Sequence, residues 1–113
     1  VSRKVLEYKP VSDAYLLDFF GEKLAESVIA ENREDCLKAV TPEALLDNWQ
    51  KIRKIICKIP KAETLYAHLE MLGAKRDPED IGIKPEQIES LLEYSPLVRN
   101  RLTLMRMRRM LNL

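Results

Sequence analysis

LYAHLEMLGAKRDPEDIGIKPEQIESLLEYSPLVRNRLTL, residues 65–104, decides the fold class. With Ala62 just upstream, Leu65, Leu69 and Leu72 recur at the spacing of one helical face. Gly73 follows the last of them, where a left-handed C-cap is wanted. Asp77-Pro78-Glu79-Asp80 then supplies a cap, a proline at the first helical position and acids at the positive end of the helix dipole. Gly82 stops that single turn, and Pro85 opens another short helix with Ile88, Leu91 and Leu92 facing inward. Tyr94-Ser95-Pro96 breaks the chain, and a terminal helix is predicted to carry Leu97, Val98, Leu102, Met105 and Met107 towards Leu113, with Thr103 capping its final part.

The residues upstream extend the same pattern. Ser12 is a good N-cap, and Leu16, Leu17, Phe20, Leu24, Val28 and Ile29 follow at helical spacing. Gly21 interrupts this run and is expected to bend or break it. The polar run ENRED, Glu31–Asp35, reads as a solvated turn or helix surface. Thr41-Pro42-Glu43 starts a second helix, in which Leu45, Trp49, Ile52, Ile56 and Ile59 form one continuous stripe that Pro60 ends. Asp47, Lys51, Lys54 and Lys58 occupy its other faces, the lysines towards the negative end of the dipole. No alternating strand pattern and no repeat of 20–50 residues competes. The chain is therefore expected to be all-α, with residues 1–11 a connecting segment and residues 12–113 a single helical domain.

Bulk properties narrow the function classes. At 113 residues there is chain for one domain. A net charge of +1 rules out a global electrostatic role, so a nucleic-acid or membrane partner would require a local patch, and neither is expected. Three glycines are too few for a glycine-rich phosphate loop. Cys36 and Cys57 are expected as two buried free thiols in a reducing cytosol rather than a disulfide. No apolar run reaches the roughly 18 residues of a membrane helix. The first residue is Val1 rather than Met, the expectation being a processed chain or a piece of a longer one.

Few residues are candidates for chemistry. His68 lies at the edge of an apolar stripe with no partner beside it and reads as a helix-surface histidine. Glu79 with Asp80, and Glu86 with Glu89, are acids of first helical turns. From Pro96 onward the chain carries Arg99, Arg101, Arg106, Arg108 and Arg109 without an acid. Such a run can bind phosphate, nucleic acid or an acidic protein face, but without interleaved aromatics it reads as the solvated face of a terminal helix. Trp49, Met105, Met107 and Met110 read as core or interface. No catalytic, cofactor-binding or metal residue is assigned.

Residues 65–104 also resemble the C-terminal end of the NAD(P)-dependent sn-glycerol-1-phosphate dehydrogenases, within the glycerol dehydrogenase and iron-containing alcohol dehydrogenase superfamily. The residues that carry the likeness are Leu65, Leu72-Gly73-Ala74, Pro78-Glu79, Ile81-Gly82-Ile83, Tyr94, Arg99-Asn100-Arg101 and Thr103. Upstream, residues 22–30 (EKLAESVIA), Pro42-Glu43-Ala44-Leu45 and residues 49–59 are similar to the helices before that ending. At Met107-Arg108-Arg109 the chain departs from the family, which tends there to an aromatic and an acid.

The resemblance implies the distal part of a C-terminal helical domain of the dehydroquinate synthase-like type. The parent would transfer hydride between NAD(P) and glycerol 1-phosphate, in the cytoplasm, with a divalent metal held by an aspartate and two histidines upstream of the matched region. The partner it implies is the N-terminal nucleotide-binding domain of the same polypeptide, and this chain alone would be inactive. Two other readings stand beside it: a free-standing module docking through its Arg-rich terminal helix, and a homo-oligomer formed through its Met-rich one.

Overall fold

The computed structural model describes residues 5–111 and bears out the all-α class. Among these residues the helices are α1 (Asp13–Glu31), α2 (Pro42–Asp47), α3 (Trp49–Ile56), α4 (Ala62–Met71), α5 (Ile88–Tyr94) and α6 (Leu104–Met107). Four 3-10 turns, Cys36–Ala39, Pro78–Ile81, Pro85–Gln87 and Ser95–Val98, lie between them. Among the described residues the one strand-like feature is an isolated antiparallel bridge between Val5 and Leu111. The chain divides into two compact units, Val1–Asp47 with Ser90–Leu113, and Asn48–Glu89.

In the first unit Ser12 caps α1, its hydroxyl accepting from the amide of Tyr15. Gly21 breaks that helix: its φ of 70° and ψ of 164° lie in a region essentially closed to residues with a Cβ. The break shifts the helical phase, so Leu16, Ala25 and Val28 are buried while Leu17 and Leu24 of the same apparent stripe remain exposed. Leu16, Val28 and Leu97 form the core, with Val11, Phe20, Ile29 and Tyr94 packed around them. Phe19 adds an edge-on contact with Phe20 at 4.8 Å and a tilted one with Tyr94 at 5.0 Å. The expected connecting segment is tied to the chain end, the Leu6 amide donating to Met110 at 2.7 Å; residues 1–4 of it lie outside the described residues.

Two expected helices are corrected. The helix from Thr41 does start there, with Thr41 Oγ1 accepting from the Ala44 amide at 3.1 Å, but it stops at Asp47. Asn48 leaves helical geometry (φ −96°, ψ 2°) and α3 restarts behind it, so the apolar stripe spans two helices and not one. The terminal helix shrinks to α6. Pro96 forces a 3-10 turn, Arg99 is extended, and the helix begins only where Thr103 Oγ1 accepts from the Arg106 amide at 3.2 Å.

The second unit is built from α3, α4 and the two proline-led turns. Gly73 (φ 62°) closes α4 as expected: its amide donates to Glu70 and that of Ala74 to Leu69, satisfying two orphan carbonyls. At the Pro78–Ile81 turn, Asp80 reaches back to accept from the amides of Asp77 (3.2 Å) and Arg76 (3.3 Å). These bonds hold its carboxyl below the ordinary value of 3.8, the Asp77 bond contributing most. A carboxylate with a depressed folded pKa stabilises above its unfolded pKa and loses that contribution as pH falls through the folded one. The turn is therefore expected to loosen only below pH 3.8, read from the amide shifts of Arg76 and Asp77; Asp80→Asn, which cannot ionise, should abolish that pH dependence.

Candidate functional site

The most constrained polar group in the first unit is the guanidinium of Arg106, which has 0% of its surface exposed. Expected on a solvated face, it is instead enclosed. Thr103 starts α6 three residues before it, and Met110, in the turn beyond that helix, is buried as well. Burial of a cation demands partners. Arg106 Nη1 donates to the carbonyls of Pro96 and Arg99, both at 3.0 Å, gripping the 3-10 turn Ser95–Val98 and the extended residue behind it. Nη2 donates to Asn32 Oδ1 and forms an ion pair with Asp35 Oδ1 at 3.0 Å. Nε is buried and has no partner among the described residues.

The partners are themselves fixed. Asn32 Nδ2 donates to the carbonyls of Val28 (2.7 Å) and Leu97 (2.6 Å), locking the end of α1 to the same turn. Asp35 caps the Cys36–Ala39 turn, accepting from the Leu37 amide at 2.9 Å. Asn100 closes the ring: its Oδ1 accepts from the Cys36 amide at 2.8 Å, its Nδ2 donates to the Glu34 carbonyl at 2.7 Å, and its own amide donates to Glu31 Oε1 at 3.1 Å. The Glu31–Asp35 run is thus not wholly solvated; Asn32 and Asp35 turn inward.

A cleft of about 420 Å³ opens beside this network, with Tyr8, Asp13, Asn32, Arg33 and Asp35 as its polar lining and Leu16 and Leu97 at its apolar wall. Burial, and then the neighbouring Asp35 carboxylate, push the Tyr8 phenol above 10.0. Burial likewise raises the Cys36 thiol above 9.0, against the opposing pull of Arg106. Both groups are therefore protonated at neutral pH, and neither is poised as a base or nucleophile. The acid beside them is engaged by Arg106. The arrangement is a structural clamp.

The other sequence candidates are scattered. Arg99 and Arg101 are exposed, and Arg108 and Arg109 are half-buried, with Arg109 Nη2 3.5 Å from the Lys9 carbonyl. His68 is exposed on α4, as read from the sequence. Both cysteines are free, but only Cys36 is partly buried; Cys57 is exposed, against expectation, because it follows the last turn of α3 on its polar side. Among the described residues no group of three His, Cys, Asp or Glu side chains is arranged to hold a metal, and no helix is long and apolar enough to cross a membrane.

The second unit presents the opposite case. None of the residues Asn48–Glu89 is buried, although α3 and α4 are both amphipathic in sequence. Met71 is 84% exposed, Leu72 79%, and Ile55 and Ile81 65% each. Comparison with known protein families, with curated proteins and with solved structures finds no match to this chain.

Proposed function

We propose that the chain is the distal part of the C-terminal helical domain of a glycerol-1-phosphate dehydrogenase-like oxidoreductase, a folding and docking part of the enzyme rather than its chemical centre. The observation that supports this reading is where the residues of the resemblance fall in the fold. Gly73 and Gly82 take the positive φ that ends α4 and the Pro78–Ile81 turn. Pro78 starts that turn, Asn100 bridges residue 36 to the chain beyond Pro96, and Thr103 caps α6. Residues at such joints tolerate few replacements, which is why a family would share them. The bare apolar surface of α4 fits a module that rests on a further domain.

The parent reaction would be hydride transfer between nicotinamide and the secondary alcohol of glycerol 1-phosphate, a divalent metal polarising the oxygen. The residues described here do not fit either group. The glycines serve as backbone joints, and His68 stands by itself on an exposed helix. The role of this chain is to complete the fold of the part that binds them. Purified alone and given NAD(P) and glycerol 1-phosphate, it is expected to show no turnover; turnover would overturn the reading. So would a coding sequence upstream of Val1 that lacks a nucleotide-binding domain with an aspartate and two histidines as metal ligands.

A second reading, an interaction module, draws on the second unit. It rests on the exposed apolar side chains there rather than on the terminal segment, two of whose residues, Arg106 and Met110, are buried.

A further inference from the structure

The requirement for a local basic patch in a chain of net charge +1 is met by α3 and the turn that follows it. Between Asn48 and Lys61 there are five cations, Lys51, Arg53, Lys54, Lys58 and Lys61, and no acid. Lys51 and Lys54 share one side of α3, and Lys58 follows four residues on in the turn behind it. Trp49, Ile52 and Ile56 share another, Ile55 lies on the border between them, and Ile59 sits in the turn beyond the helix. No ion pair among the described residues engages these cations. Ile55 and Ile59 are 65% and 54% exposed, directly beside the lysines.

We propose that α3 is an interfacial helix that docks this unit on an anionic phospholipid bilayer. Strong amphipathicity at low overall hydrophobicity, with lysines along the polar face and a tryptophan on the apolar one, is the composition of helices that lie in the membrane plane. The kind of cation decides between a bilayer and an acidic protein. Protein interfaces enrich arginine and deplete lysine, whereas four of these five cations are lysines. Their flexible stems lie along apolar surface while the ammonium reaches the headgroups. α3 ends at Ile56 and Pro60 closes the turn behind it, so the contact is a short in-plane segment that does not span the bilayer. This inference stands apart from the dehydrogenase reading and survives its failure.

The test is co-sedimentation of the full chain with vesicles of mixed phosphatidylserine and phosphatidylcholine, and with phosphatidylcholine alone. Trp49 is the single tryptophan, so its emission reports on this helix. Binding is expected on the anionic vesicles only, with a blue shift of Trp49 and loss at high salt. Each cation near such a surface is worth about fivefold in partitioning, so Lys51→Gln, Lys54→Gln and Lys58→Gln together should weaken binding about 100-fold. All three side chains are exposed, and an unchanged circular dichroism spectrum would show that folding is intact. Ile55→Asn with Ile59→Asn should abolish the blue shift. Absence of binding, equal binding to neutral vesicles, or an unaffected triple variant would overturn the proposal, as would selective binding to a polyacidic protein with none to vesicles.

Discussion

Asp35→Ala is expected to destabilise the first unit by about 3–5 kcal/mol, the cost of leaving a buried cation without its counter-ion. Arg106 is fully enclosed and Asp35 nearly so, with 8% of its side chain exposed, so water cannot replace the lost carboxylate. The Leu37 amide loses its acceptor in the same substitution. A domain of this size holds about 5–15 kcal/mol in total, so the variant should be largely unfolded near physiological temperature. Arg106→Met should be as damaging for a different reason. It leaves the Asp35 carboxylate without its counter-ion and takes the donor from Asn32 Oδ1 and the Pro96 carbonyl, whereas the Arg99 carbonyl keeps the Arg101 amide and Asp35 that of Leu37.

The double variant separates charge from packing. If the damage in each single variant is mainly an uncompensated charge, Asp35→Ala with Arg106→Met should be less destabilised than the two single effects added. Urea unfolding followed by circular dichroism measures all three. A loss below about 1 kcal/mol for Asp35→Ala would mean that the ion pair is not the clamp described here, because that is the range of an exposed pair.

How far the sequence discloses this clamp depends on the length scale of each contact. Helix ends are local, and the residues that form them were readable: Ser12, Thr41, Gly73 and Thr103 all cap where their neighbours require it. Gly21 was readable as a break, but its effect on which leucines face inward was not, because a shift of phase leaves no mark in the residue spacing. Arg106 is hidden for the opposite reason. Its partners Asn32 and Asp35 lie 74 and 71 positions away in the chain, and a run such as ENRED looks solvated until something cationic is folded against it. One local signal exists: Arg106 is flanked by Leu104, Met105 and Met107, with Met110 and Leu111 close behind, an apolar setting for a cation. Asn48 breaks the stripe of residues 45–59 without any proline or glycine to announce it.

The amides of α3 and α4 are expected to exchange with solvent through local opening, near the low end of a range that runs from about 0 to the global stability of about 5–15 kcal/mol. Those of α1 beyond Gly21 should exchange near the global value. The reason is the distribution of burial. Every buried residue among those described, from Leu16 to Leu111, lies in the first unit, and its polar clamp joins segments far apart in sequence. The second unit is held by caps and turns: the paired amides after Glu70, the reach of Asp80 and the bond from Tyr66 Oη to Asp77 at 3.2 Å. Such bonds each contribute about 0.5–1.5 kcal/mol and all are open to water. Hydrogen exchange read by mass spectrometry on peptic fragments would resolve the two regions, and equal protection would show that the second unit has stability its surfaces do not reveal. Anything that covers its apolar side chains must then raise protection there first, and raise that of α1 only by as much as it raises the global stability. An anionic bilayer should protect α3 first, whereas a further domain of the same polypeptide should protect α4 through Leu65, Met71 and Leu72.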